Sequence, residues 1–372
     1  MAASNRAKPG DTIIKDVRTQ LISLPFVDPP KTGLDIRVNR TFVVAEIETA
    51  GGVVGMGYIQ PLAGSLRSID TCVHELFKPM LVGQDVTHVE KLWQTMFRRS
   101  YVQGRMGLSI MALSLLDIAL WDAHGKHAGL PLYKLWGAHA EELPIYGSGC
   151  FRGMGGDGMI EKARRYVSQG FKAIKMQVAH VYTVHQDATN VRRMREALGE
   201  DIDIMIDVNQ GWTADVAIPM ARKFEAYDIY WLEEPVVAHD FAGYRRIAKA
   251  TSLRIVGGEN HFGRYDLRPF FEDPCVPILQ PDVMRGGLTE LRKIAAVADT
   301  WGIRIAPHLY HELMAHLVAS IPNGDWLEYM GWHDDLWVHP LEPVEGRVRV
   351  PDRPGHGLAF KPEVLQDHPY KG

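Results

Sequence analysis

The sequence predicts an α/β protein in which a small α+β domain precedes a (β/α) barrel, and three observations carry that prediction. Short apolar segments, each ending at or near a polar or ionisable residue, recur from Leu143 to Met330 at intervals of roughly 20 to 30 residues, the rhythm of βα units repeated until a sheet closes on itself. Helical segments with apolar faces of period 3.6 separate them. Ahead of these lies a stretch of different texture, in which strict alternation of apolar and polar residues gives way to a long helical pattern.

Taken in order, Thr41 to Thr49 (TFVVAEIET) alternates, passes through a Gly-Gly turn and continues as GVVGMGYI, the pattern of a β-hairpin. From Leu108 to His124 apolar residues recur at helical spacing (Ile110, Leu113, Leu116, Ile118, Leu120, Trp121), and this first unit ends near Gly129, Leu130 and Pro131. The barrel strands are read in PIYGS, KAIKMQV, IDIMIDV, IYWLEE, LRIVGGE, VPILQPD, IRIAPH and DWLEYM. The linking helices are read over 160–167, 191–198, 216–224 and 288–301; the last helix of the barrel, before the final strand, is short, so the barrel is expected to close irregularly. The tail (GRVRVPDRPGHGLAF) returns to strand-and-turn texture and is expected to pack back on the first domain. The expected division is a capping domain over 1–135, completed by the tail from 340 to 372, and a barrel over 136–339.

Composition narrows the function. The chain has 372 residues, 46% hydrophobic and 23% charged, ordinary for a globular protein and long enough for two domains. Forty-one basic against 45 acidic residues give a net charge of −4, with no long run of one sign, which argues against nucleic acid and anionic membranes as partners. Three well-separated cysteines form neither a disulfide framework nor a CxxC pair. The opening MAASNRAKPG lacks a signal-like apolar stretch, and the apolar run from Met106 to Leu116 is too short to span a bilayer, so a soluble cytoplasmic protein is expected.

In such a barrel the C-terminal strand ends face one mouth, so polar residues one βα unit apart converge. The strand-end residues are Lys175, Asp207, Glu233, Glu259, Asp282, His308 and Glu328. Asp207, Glu233 and Glu259 come from three successive ends and form the hard-oxygen set that suits Mg²⁺.

The chain resembles the enolase superfamily, in its mandelate racemase subgroup, over nearly its whole length. The resemblance rests on DIALWDAHGK (117–126), AIKMQ (173–177), DVNQGW (207–212), WLEEP (231–235), GGEN (257–260), QPDVMRGG (280–287), APHLYHELMAHL (306–317), WLE (326–328) and PDRPGHG (351–357). It implies a capping domain over a (β/α)7β barrel, Mg²⁺ as cofactor, a small carboxylate substrate, a symmetric homo-oligomer, and abstraction of a proton next to a carboxylate. By the same resemblance Asp207, Glu233 and Glu259 are the metal ligands. Lys175 touches the substrate carboxylate, and with the metal stabilises the enediolate as it develops. His308 and Asp282 form a His-Asp dyad, and Glu328 hydrogen-bonds the carboxylate in protonated form, with a raised pKa. Ser148 and Asn209 match polar positions facing substrate. The capping loops, 26–37 and 58–62, match those that close over substrate, with Arg37, Tyr58 and Gln60 as candidate substrate contacts; Tyr101 and Arg105 match a position nearing the mouth.

One departure decides the expected reaction. Where the racemase has a second lysine, this chain has Gln177, on the same side of its strand as Lys175 by alternation. An amide cannot accept a proton at neutral pH, so a two-base racemisation is disfavoured. A single base suits elimination: His308 removes the α-proton and returns it to a departing β-hydroxyl, giving a 2-keto-3-deoxy acid, while Gln177 hydrogen-bonds a substrate hydroxyl. The expected activity is therefore that of a hydro-lyase on a sugar acid. The alternatives are a racemase or epimerase with a second base such as Tyr101 or a loop histidine, and a carboxylate-binding protein without catalysis.

Other motifs are discounted. GMGGDG (153–158) fits GxGxxG but lacks the acidic residue expected about 20 positions on. HELMAH (311–316) is one residue too long for HExxH, which leaves His311 and His316 as helix-face residues. His180, His185 and His261 read as loop histidines, the first two with a possible auxiliary acid-base role.

Overall fold

The computed structural model describes residues 10–34, 38–62 and 64–372, so Arg37 lies outside the described residues. The first domain opens on a strand that periodicity does not reveal, β1 (Ile14–Pro25), which pairs antiparallel along the whole of β2 (Asn39–Thr49). Its alternation is obscured by an irregularity between Ile14 and Asp16 and by an outer face of Lys15 and Arg18, ion-paired with Glu48. The expected hairpin partner follows as β3 (Val54–Ile59), after a turn in which Gly52 takes φ 80°.

Two long helices follow, α1 (Val89–Ser100) and α2 (Leu108–Ala128); α2 backs the sheet and α1 packs on α2. Helix α2 is apolar all round and long enough to cross a membrane by length and composition, but 78% of its apolar window is buried inside the protein, as befits a central core helix. It can lie so close to β3 because Gly55 and Gly57 have no side chain there: a Cβ on Gly57 would run into the Leu115 carbonyl oxygen, and one on Gly55 into that of Ala119. On its other side Asp117 accepts from the Thr289 amide (2.8 Å) and hydroxyl (2.6 Å), joining the cap to the barrel.

The second domain alternates strands and helices: β4 (Glu142–Cys150), α3 (Gly155–Ser168), β5 (Ala173–Gln177), α4 (Val184–Leu198), β6 (Asp203–Asp207), α5 (Ala214–Phe224), β7 (Ile229–Glu233), α6 (Phe241–Ala248) and β8 (Arg254–Val256). It ends with β9 (Ile278–Leu279), α7 (Gly287–Thr300), β10 (Arg304–Ile305), α8 (His311–Val318) and β11 (Leu327–Tyr329). Parallel pairing runs β11-β4-β5-β6-β7-β8, and β9 pairs with β10. Bridges from Gly257 to Leu279 and from Ile305 to Gly324 carry the sheet round. Tyr146, Ala173, Met205, Trp231, Val256, Ile278 and Ala306 fill the interior as a cluster of their own, one residue from each of seven successive strand positions.

The tail divides its attachments. Its strand β12 (Arg347–Arg349) pairs antiparallel with the start of β4, so this part joins the barrel rather than the first domain. The remainder docks on the cap, where the buried His356 gives its Nε2 to the Met56 carbonyl (2.7 Å) and its amide to Asp122 (3.1 Å), while its Nδ1 accepts from the Leu358 amide (3.1 Å). His316 on α8 bonds the His356 carbonyl at 3.0 Å and is fully buried, and burial pushes its imidazole down to about 4. It is a structural histidine, as the failed HExxH spacing implies.

The glycine contact between β3 and α2 is testable. Gly57→Ala is expected to lower the free energy of unfolding by roughly 2–4 kcal/mol, since backbone must move to admit the methyl group. Urea denaturation measures this, and a change within about 0.5 kcal/mol would show that the packing yields freely.

Candidate active site

The strand ends do converge. One cavity of about 190 Å³ at the barrel mouth is lined by Ser148, Lys175, Gln177, Asp207, Asn209, Glu259, His308 and Glu328, with Thr32, Leu34 and Leu62 reaching in from the cap. Lys175 is 4% exposed, and its ammonium lies 2.7 Å from Glu233 Oε1 and 2.9 Å from Glu328 Oε1. Burial works against that charge, but Glu233 and Glu328 outweigh it and hold the lysine protonated.

The three candidate ligands sit at the ends of β6, β7 and in the loop after β8. Asn209, in a left-handed backbone conformation, braces Asp207 with its amide (2.8 Å) and Nδ2 (2.7 Å). Glu233 is fully buried, with Oε2 accepting from Gln280 Nε2 (2.7 Å) and Trp231 Nε1 (3.1 Å). Burial first, then the charges of Asp207 and Glu259, push its carboxyl up to about 8 even with Lys175 beside it. Burial likewise raises Glu259. The Asp207 charge adds to the rise of both glutamates, a crowding of negative charge that a dication relieves, and each oxygen can accept more than one partner. Among the described residues no three such side chains are already closed on one point, so the fit lies in donor chemistry and strand position rather than in a preformed cage.

His308 gives Nδ1 to Asp282 Oδ2 at 2.8 Å, and its Nε2 stands 3.7 Å from Glu259 Oε2. Asp282 is itself fixed by the Met284 amide (2.6 Å), so the dyad leaves Nε2 as the nitrogen available for proton transfer. Burial opposes the imidazolium, but Glu259, Asp282 and Glu328 override it and raise His308 to about 10. Gln177 lines the cavity with its Oε1 buried and without a partner.

Three expectations need correction. Glu328 is not held protonated: burial alone would raise it, but Lys175, His308 and the Leu309 amide (2.9 Å) bring its carboxyl down to about 2. It also accepts from Ser148 Oγ at 2.7 Å, which places Ser148 as a brace for Glu328. Tyr58 and Gln60 do not line the cavity: Tyr58 is fully buried and donates to Glu312, while Gln60 Oε1 accepts from His333 Nε2 at 2.9 Å. Tyr101 and Arg105 line a separate groove with Phe97, Tyr265 and Arg268, away from His308. Of the loop histidines, His180 bonds the Asn209 carbonyl at 2.9 Å, and His261 is buried on the Ala238 carbonyl (2.9 Å) against Phe241 and Phe270.

Sequence reasoning missed Arg152, Phe151, Met330 and Trp332. Arg152, 1% exposed, donates to Asn209 Oδ1, and the other three line the cavity. Phe151 and Arg152 follow the end of β4, and Met330 and Trp332 follow β11, so position one to three residues past a strand end was their available signal.

The charge balance makes a measurable claim. In protein stripped of divalent metal His308 is expected to titrate near 10, and saturation with Mg²⁺ is expected to lower that value by cancelling the field of Glu259. NMR titration of the imidazole reads it; an ordinary value of about 6.5 in the metal-free protein would contradict the geometry.

Residues 16–137 match the mandelate racemase / muconate lactonizing enzyme N-terminal domain, and residues 158–364 match the enolase C-terminal domain-like model. A 3,6-anhydro-α-L-galactonate cycloisomerase of Streptomyces coelicolor is 33% identical over 95% of this chain and 98% of its own. Among solved structures, a racemase from Streptomyces coelicolor with bound magnesium superposes with a TM-score of 0.92 at 32% identity, covering 96% of this chain and all of the other. The L-talarate dehydratase of Polaromonas sp. JS666, complexed with Mg and L-glucarate, gives 0.90 at 31% identity over 96% and 98%. With both halves matched and these relatives aligned nearly end to end, the chain belongs to the mandelate racemase / muconate lactonizing enzyme family of the enolase superfamily.

Proposed function

We propose that the protein is a magnesium-dependent dehydratase of a sugar acid, removing water from an α,β-dihydroxy acid to give the 2-keto-3-deoxy acid. The observation that carries this reading is the single His308-Asp282 dyad at the cavity, with Gln177 where a second base would stand. The dehydratase crystallised with Mg and L-glucarate supports the same class of substrate.

Lys175 meets the substrate carboxylate with its ammonium, and Glu328, ionised and braced by Ser148 and Leu309, holds that ammonium in place. A magnesium ion held by Asp207, Glu233 and Glu259 would supply Lewis acidity at the carboxylate, making the α-proton more acidic. His308 Nε2 takes the α-proton, with Asp282 fixing the ring and stabilising the imidazolium. The same nitrogen then gives the proton to the β-hydroxyl, which leaves as water, and the enol so formed tautomerises to the ketone. Gln177, whose Oε1 lacks a partner, accepts a hydrogen bond from a substrate hydroxyl.

The cycloisomerase relative favours a second reading that shares the first step. If the departing β-oxygen is tethered in a ring, elimination opens the ring and releases no water, so the product is an isomer.

Incubation with a panel of aldonic, aldaric and anhydro-sugar acids plus Mg²⁺ tests both. Expected is a keto acid lighter than its substrate by one water, and a loss of roughly 10²–10⁴ in kcat for His308→Asn. A keto acid of unchanged mass would assign the ring-opening reading; α-deuterium wash-in with no keto acid from any substrate would overturn both. Removal of Mg²⁺ by chelation is expected to abolish turnover, restored on its return.

A further inference from the structure

We infer that Arg40, a residue of the cap that does not line the cavity, is a positioning residue that sets substrate affinity by holding Trp332 as the cavity's wall. This rests on the cavity being the substrate site, as proposed above. Arg40 lies on β2 and is 2% exposed. Its Nη1 donates to the Trp332 carbonyl and to Asp335 Oδ1 (2.5 Å), and its Nη2 to Asp335 Oδ2 (2.6 Å). A planar fork bonded to both oxygens of one carboxylate fixes direction as well as distance, which a point-like ammonium does not.

The segment so held crosses from the end of β11 over the mouth. Trp332 stacks on Phe151, which follows β4, with centroids 5.7 Å apart and planes 19° apart. Its edge contact is Phe26 of the cap, at 5.4 Å and 72°, and Arg40 lies 5.9 Å over that same ring. The next residue, His333, bonds Gln60 of the cap (2.9 Å) and Glu312 of α8 (2.8 Å). A lining residue of the barrel is therefore set by the cap through two successive residues. Because β11 and β4 are neighbours, Trp332 and Phe151 form one side of the cavity, while the carboxylates of β6 to β8 lie on strands further round. Loosening the fork moves the wall without touching His308, Lys175 or the ligand trio.

The test is a double-mutant cycle with Arg40→Lys and Trp332→Ala, using the acid identified by the panel. Arg40→Lys alone is expected to raise KM about tenfold with kcat within about threefold, and to add nothing to KM once Trp332 is alanine. Asp335→Asn is expected to act in the same direction, and guards against a folding defect special to Arg40. Equal KM effects in both backgrounds, or no KM effect of Arg40→Lys, would overturn the proposal. Acrylamide quenching of the Trp332 fluorescence, taken as the difference from Trp332→Phe protein, gives a readout free of turnover. Increased quenching in Arg40→Lys supports the clamp even if no panel acid reacts, which would count against the dehydratase reading alone; unchanged quenching counts against the clamp.

Discussion

Everything at the barrel mouth depends on one buried cation. Lys175 lies between Glu233 and Glu328, two carboxylates that are themselves almost wholly removed from solvent. A desolvated carboxylate persists only if a proton or a positive charge meets it. Lys175 meets two, and the imbalance that remains falls on Glu233, Glu259 and His308, all raised. The site is thus built with more negative charge than its own side chains offset, and the protonation of His308 is the local response. A histidine can act as a base only after that excess is compensated from outside, which ties the readiness of the dyad to the presence of a cation.

The same problem recurs where cap meets barrel, and is solved internally. Glu312 on α8 is fully buried, yet its carboxyl is held well below the usual range: burial opposes this, but His311 and His333 on either side prevail. Tyr58 of the cap donates to that carboxylate, and Gln60 accepts from His333. These are two of the three cap residues that resemblance offers as substrate contacts; in the structure they fasten the cap. The segment they secure continues into Trp332 and, on the other side, back along α8 to Leu309, whose amide holds Glu328. Cap docking and site geometry therefore share backbone.

How much of this was legible depended on whether the signal was local. Asp207, Glu233, Glu259, Asp282 and His308 were legible because strand-end position is a property of periodicity, and periodicity survives in one sequence. Strand β1 was not, because a register shift and a charged outer face spoil its alternation. Arg40, Trp332 and Tyr58 were not, because their roles come from pairing across 292 and 254 positions of chain. The ionisation of Glu328 was misread for a related reason: burial was foreseeable, but the distance from Lys175 and the direction of the Leu309 amide were not.

Gln177 shows how the missing second lysine alters the site rather than merely subtracting from it. A lysine there would bring a second ammonium toward Asp207, whose strand neighbour Gln177 is, and would lessen the excess charge that now raises His308. An amide leaves that excess in place and adds an acceptor at the cavity for which no protein group supplies a donor. A substrate hydroxyl can donate to it on binding, whereas an apolar substituent cannot. One substitution thus withdraws a base, keeps the cation requirement high, and turns that side of the cavity toward hydroxylated acids.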